Sequence, residues 1–231
     1  MAKKKLQRFA EMLHFDNVVQ AGIEEVFKRR HKLHGRWAED FFGSPNPLVL
    51  ELGCGKGEYT VGLAKLFPER NFLGVDIKGA RMWKGAKYAH ENNIHNAGFL
   101  RTRIELISSF FARDEIEQIW LTFPDPQLKK ARKRLTSASF LNLYRQFLRD
   151  GGYIHLKTDS RELYNYTLLL LEHNKLEVKE STDDLYGTAG NNAILSIKTF
   201  YEQQYLDQGK PIAYLKFRIA GNKEITEPDE K

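Results

Sequence analysis

Cysteine is nearly missing from this chain, with Cys54 the only one among 231 residues. That excludes an internal disulfide framework and any zinc site built on cysteines. It fits a reducing compartment, and the cytoplasm is the simplest expectation. Long apolar runs are absent too. No stretch approaches the ~18 residues of a membrane span. The first residues do not read as a secretory signal, because Gln7, Arg8 and Glu11 interrupt the segment from Leu6 to Leu13. His90, His95, His155 and His173 show no metal-ligand spacing, so no metal is expected. There is no internal repeat and no low-complexity tract. What the chain does hold is 42% hydrophobic residues, enough to pack one large α/β domain. Its net charge of +6 favours an anionic partner.

The charge is unevenly spread. Residues 28–36 and 129–134 are dense in Lys and Arg, while residues 221–231 form an acidic-leaning stretch without apolar pattern. The expected organisation is therefore a basic arm and helix over residues 1–40, a catalytic-size domain over 41–220, and a disordered tail over 221–231. From residue 45 onward, strand and helix signals alternate, as a parallel sheet with crossover helices requires. Strands are predicted at 48–52, 71–76, 98–104, 118–123, 153–157, 176–180 and 212–219. Helices are predicted at 58–67, 79–92, 139–148, 161–173 and near 197–206. The fold class that follows is an α/β, Rossmann-like arrangement, with a mostly parallel sheet of about seven strands and helices on both faces.

Between the first of these strands and the first helix lies Glu51-Leu52-Gly53-Cys54-Gly55-Lys56-Gly57. Glycines there let the backbone turn tightly and approach a ligand closely. A P-loop would need Ser or Thr after a Gly-Lys pair, and here Gly57 follows Gly55-Lys56. The dinucleotide fingerprint needs its third glycine one residue later. The spacing, with an acid two residues before Gly53, looks like the S-adenosylmethionine loop of class I methyltransferases. Asp76, at the end of the next strand, can accept both hydroxyls of a ribose. Glu51 suits the ligand's cationic amino and sulfonium groups. After the third strand, Arg103 and Ile104 are the next expected cofactor contacts, with Ile104 placed to pack on adenine. Cys54 reads as a packing residue, since nothing nearby marks it as activated.

The strand Gln118 to Phe123 ends in Pro124-Asp125-Pro126 and runs into a block of five cations, Lys129, Lys130, Arg132, Lys133 and Arg134. Ligands of open α/β sheets bind at the carboxyl ends of strands, where this segment falls. The two prolines stiffen the backbone around Asp125. Its carboxylate can hold a polar or cationic group, and the cations invite a polyanion.

With both segments in view, the chain resembles the bacterial tRNA (guanine-N7-)-methyltransferase family from about Phe41 to Ile219. Gly152 to Asp159, Thr199-Phe200-Tyr201-Glu202 and Gly209-Lys210-Pro211-Ile212 complete the pattern. The resemblance implies S-adenosylmethionine as cofactor, tRNA as partner and a guanine of the variable loop as target. It places the catalytic acid, also near the cofactor, on Asp125. Substrate contacts fall on Lys129, Asp159, Thr199 and Glu202, and Lys130, Arg132, Lys133 and Arg134 are expected to meet RNA. The resemblance is compatible with a monomer or a homodimer. Three positions depart from the family pattern: Gln127 and Leu128 replace its usual Trp and His in a loop about two residues shorter, and Arg103 stands where an Asp is common. Two other readings stay open on sequence alone: a class I methyltransferase acting on another substrate, and a tRNA-binding module with weak or lost turnover.

Overall fold

A computed structural model describes residues 2–188, 193–219 and 223–228. Its centre is an eight-stranded sheet of β1 (Val18–Gln20), β2 (Leu48–Leu52), β3 (Asn71–Asp76), β4 (Ala97–Arg101), β5 (Ile116–Thr122), β6 (Leu148–Thr158), β7 (Val178–Thr182) and β8 (Ala213–Phe217). The spatial order is β1-β4-β3-β2-β5-β6-β8-β7. Neighbours pair in parallel except β8, which runs antiparallel to both β6 and β7. The helices are α1 (Ala2–Met12), α2 (Ile23–Val26), α3 (Glu58–Leu66), α4 (Gly79–Glu91), α5 (Ala138–Tyr144), α6 (Arg161–His173), α7 (Leu185–Thr188) and α8 (Phe200–Asp207).

Every residue of β2 is buried, which explains its unbroken apolar run: a central parallel strand is covered on both faces. Alternation along the strands splits the core into two layers. Leu50, Leu73, Ile119 and Leu156 pack with Tyr144 and Phe147 on one side. Val49, Phe72, Phe99 and Trp120 pack with Tyr59 and Met82 on the other. From β2 the chain winds to β3 and β4 on one side, then crosses to β5 and β6 on the other. That reversal opens a crevice at the carboxyl ends of β2 and β5, where ligands of such sheets bind.

The structure departs from the predicted elements in several places. The strand predicted at 98–104 ends at Arg101, that at 176–180 runs from Val178 to Thr182, and α7 has no predicted counterpart. Three further differences bear on the fold. The eighth strand is β1, three half-buried edge residues that pair with β4 and carry almost no sequence signal. The helix predicted to reach Leu148 stops at Tyr144, and β6 begins at Leu148 because Gly151, at φ +73°, lets the strand kink and resume. The disordered tail is corrected over residues 223–228. Ile225 is buried in the core, Asn142 brackets it with hydrogen bonds to its carbonyl (2.8 Å) and from its N–H (3.1 Å), and Thr226 N donates to Asn174 Oδ1 at 2.9 Å. Residues 221–222 and 229–231 of that tail, and Met1 of the basic arm, lie outside the described residues.

Candidate active site

After β2 the backbone turns through Gly53, Gly55 and Gly57, at φ +80°, +56° and +72°. These left-handed angles strain any residue with a Cβ. At Gly57 space forbids one as well, since a Cβ would sit 2.5 Å from the Phe99 ring. The turn is pinned from β3: Gly55 N donates to Asp76 Oδ2 at 3.0 Å, and Lys78 N to Asp76 Oδ1 at 2.7 Å. A cleft of about 510 Å³ opens here. Gly53 and Asp76 line it, Arg103 and Ile104 follow from the turn after β4, and Gln127, Lys130 and Lys133 close it from the basic loop. The residues fit a nucleoside. Each oxygen of the Asp76 carboxylate keeps a lone pair for a diol, and Ile77, Ile104, Leu135 and Phe140 supply apolar walls for a base.

Glu51 stands differently from expectation. It is buried beneath the glycine turn, and both its oxygens are engaged inside the protein. Oε2 accepts from Thr60 N at 2.8 Å and from the Thr60 hydroxyl, while Oε1 accepts from the Thr122 hydroxyl. Burial pushes its carboxyl up to about 7 against the opposing pull of the threonine bonds. Glu51 thereby ties β2 to the start of α3 and to the end of β5, directly before the Pro-Asp-Pro loop.

That loop is bracketed by two strained residues. Phe123 (φ +50°) and Gln127 (φ +47°) are both non-glycine residues in the left-handed region, a conformation costing on the order of 1–3 kcal/mol each. Phe123 N donates to Lys157 O at 2.8 Å, Gln127 N to Asp125 Oδ1 at 2.9 Å, and Lys130 N to Gln127 O at 2.9 Å. Asp125 itself is exposed. Lys129, Lys130, Arg132 and Lys133 are exposed as well, as a polyanion contact requires. Arg134 is not, and its expected RNA contact is corrected. It is 5% exposed, its Nε donates to Pro126 O at 2.9 Å, its guanidinium lies 4.4 Å from the Tyr166 ring centre, and it pairs with Glu162.

Asp159 lies just past the end of β6, the neighbour of β5, and is half-buried; burial raises its carboxyl pKa, with Lys210 opposing. Thr199 and Glu202 prove to be a capping box at the start of α8. Thr199 Oγ1 accepts from Glu202 N at 3.2 Å, and Glu202 Oε2 accepts from Thr199 N at 3.3 Å. Thr199 is half-buried, but Glu202 is wholly buried, so direct substrate contact by its carboxylate is corrected. It pairs at 2.8 Å with Lys157 Nζ, also wholly buried, and accepts from Tyr186 Oη at 2.6 Å. Lys157 Nζ donates in addition to Leu195 O at 2.9 Å and Ile197 O at 3.3 Å. Burial lowers the Lys157 pKa, and Glu202 works against that. Sequence reasoning missed this lysine as a functional element. The Thr-x-x-Glu spacing was a readable signal for the cap, but nothing local announces that a strand lysine turns inward.

Sheet order, glycine turn and strand-end aspartate together define a class I S-adenosylmethionine-dependent methyltransferase. Solved structures share the fold at low identity: the 16S rRNA methyltransferase KamB (TM-score 0.57, 13% identity, 76% of this chain and 89% of that one) and an S-adenosylmethionine-dependent methyltransferase from Aquifex aeolicus (0.53, 14%, 75% and 82%). A family described as "Putative methyltransferase" matches residues 45–215. The tRNA (guanine-N(7)-)-methyltransferase of Bacteroides thetaiotaomicron is 50% identical over 229 residues, covering 99% of this chain and 91% of the relative. That of Porphyromonas gingivalis is 57% identical over 199 residues, 85% and 82% of the two chains. This chain belongs to the tRNA (guanine-N7-)-methyltransferase family.

Proposed function

We propose that this protein methylates N7 of a guanine in tRNA through the cleft between the glycine turn and the Pro-Asp-Pro loop. The observation that carries the reading is the shared wall. Gln127, Lys130 and Lys133 line the cleft that Asp76 and Gly53 open, so one loop meets the cofactor's pocket and offers cations to a polyanion. When bound, S-adenosylmethionine supplies an electrophilic methyl group on a sulfonium. Gly53, Asp76, Arg103 and Ile104 are the residues that would hold it, and Gly55 steadies Asp76.

Guanine N7 has a free lone pair, so no residue need remove a proton before transfer, and no metal is required to activate the nucleophile. The demand on the protein is orientation, with N7 held in line about 3 Å from the methyl carbon. The purine gains positive charge as it reacts. Asp125, exposed on the loop whose Gln127 lines the cleft, is the group that would stabilise that charge, and a preorganised carboxylate does so without reorganising. Asp159 and Asp125 follow neighbouring strands and can accept from guanine N1–H and N2–H, which adenine lacks in that arrangement. Lys129 sits at the inner end of the basic run and orients the nucleotide, while Arg132, further along the run and exposed, meets phosphate. All these groups come from one chain, so a monomer or a homodimer can carry the reaction. The setting is the cytoplasm, where tRNA is found; no helix among the described residues is long and apolar enough to cross a membrane.

The test is incubation with labelled S-adenosylmethionine and unmodified tRNA, followed by nucleoside analysis. The reading requires 7-methylguanosine, and requires Asp125→Asn to lower turnover on bound tRNA. Label in another nucleoside, or full turnover by Asp125→Asn, would remove the target or the role of Asp125.

A further inference from the structure

The C-terminal segment reaches the back of the reactive loop through three side chains. Glu227 Oε1 accepts from Ala138 N at 2.9 Å, which fixes the carboxylate at the start of α5. Its Oε2 accepts from Tyr166 Oη at 2.6 Å. The Tyr166 ring, carried on α6, lies 4.4 Å beneath the Arg134 guanidinium. Arg134 Nε in turn donates to the carbonyl of Pro126 at 2.9 Å, the residue next to Asp125. Glu162, one turn earlier on α6, accepts from Nη2 of the same guanidinium.

From this geometry we infer that residues 223–228 act as a strap that positions Asp125, with Glu227 orienting Tyr166, Tyr166 supporting Arg134, and Arg134 holding the Pro126 carbonyl. The inference rests on the methyl-transfer reading above. Each link has a physical reason. Burial and the neighbouring Glu227 carboxylate both raise the Tyr166 pKa, so the phenol stays a donor. A ring whose hydroxyl donates to a carboxylate gains electron density on its face, which favours the cation above it. A guanidinium held over a ring and paired with Glu162 has less freedom to turn its Nε–H away from Pro126. The loop needs such a support, because Phe123 and Gln127 hold left-handed backbone on either side of Asp125 and would relax without outside contacts. Ile225, buried in the core between its two Asn142 hydrogen bonds, anchors the strap. Glu227, Tyr166 and Arg134 are therefore positioning residues. None of them lines the cofactor cleft.

The experiment compares full-length Glu227→Ala, Tyr166→Phe, Arg134→Ala and the double variant Glu227→Ala/Arg134→Ala, at saturating tRNA and S-adenosylmethionine, beside the unaltered protein. Misplacing a reacting group by about an ångström costs up to roughly a hundredfold in rate, so Glu227→Ala should lower kcat about tenfold or more. Tyr166→Phe keeps the ring and loses only the hydroxyl, and should fall between the unaltered protein and Glu227→Ala. Because the residues act in series, the double variant should be scarcely slower than Arg134→Ala alone. Glu227→Gln leaves one acceptor oxygen for two donors, Ala138 N–H and Tyr166 O–H, and should likewise fall between the unaltered protein and Glu227→Ala. Thermal melting identifies any variant that fails to fold; Tyr166→Phe and Glu227→Gln, the mildest changes, then carry the test. Unchanged kcat in Glu227→Ala and Tyr166→Phe would overturn the strap, as would losses that multiply in the double variant. If the unaltered protein forms no 7-methylguanosine, the underlying reading fails instead, and the two failures are distinct.

Discussion

Replacing Glu202 by Gln should be among the most damaging single changes in this protein, though the side chain never reaches the surface. Glu202 and Lys157 are both fully buried and 2.8 Å apart. Removing one partner of a buried pair costs about 3–5 kcal/mol, because the other charge is left without compensation. An independent bound agrees. Lys157 can escape by giving up its proton, and neutralising an ordinary lysine at pH 7 costs about 4.6 kcal/mol, from about 3.4 pH units at 1.36 kcal/mol each. The pH dependence has a definite sign. Burial already lowers the Lys157 pKa, and the variant loses the group that holds it up. A base whose folded pKa lies below its unfolded value binds fewer protons folded than unfolded, so stability rises with pH across that window. The deficit of Glu202→Gln should thus shrink between about pH 7 and about pH 9.5, by up to about 3 kcal/mol. Urea unfolding at both pH values measures it. Lys157→Met/Glu202→Leu should recover only part of the loss, since it removes both charges but leaves Tyr186 Oη and Leu195 O without these partners. A loss in Glu202→Gln below about 1 kcal/mol, or one that ignores pH, would refute an ionised pair here.

The remaining expectations concern the site. Asp76→Ala should weaken S-adenosylmethionine binding about tenfold or more, since a charged hydrogen bond contributes on the order of 1.5–3 kcal/mol, and calorimetry on the folded variant reads it directly. Glu51 has its pKa raised from 4.5 to about 7, so the folded state binds the extra proton and wild-type stability should decline as pH rises through that interval. Glu51→Gln should flatten this decline, with denaturation midpoints across about pH 4.5 to 8 as the measurement, and an unchanged slope would place the proton elsewhere. Arg132→Ala should raise the Michaelis constant for tRNA and flatten its salt dependence by up to about one unit of slope while leaving saturated turnover intact. Lys129→Ala should lower saturated turnover; the reverse pattern would exchange the inner and outer ends of the basic loop.

Local pattern makes much of this protein readable. The strand Asn71–Asp76 matches its prediction at both ends, and the glycine turn and Asp76 meet as their 20-odd intervening residues suggested, because one strand, one turn and one helix place them. Gly53, Asp76, Arg103 and Ile104 share a cleft for the same reason: parallel winding brings successive strand ends to one edge of the sheet. What the sequence could not show is which charged side chains turn inward. Glu51 and Arg134 read as ligand contacts from the residues beside them, and Glu202 from the family resemblance, yet each is satisfied by partners far along the chain, at Thr122, Lys157 and Glu162. Glu227, in a stretch that reads as disordered, is seated by Ala138 and Tyr166. A charge enters the interior only where compensating groups converge on it, and that convergence is set by sheet order and helix packing. Segment type and strand-end chemistry therefore belong to the sequence alone, while the division between charges that face the substrate and charges that hold the frame belongs to the tertiary structure.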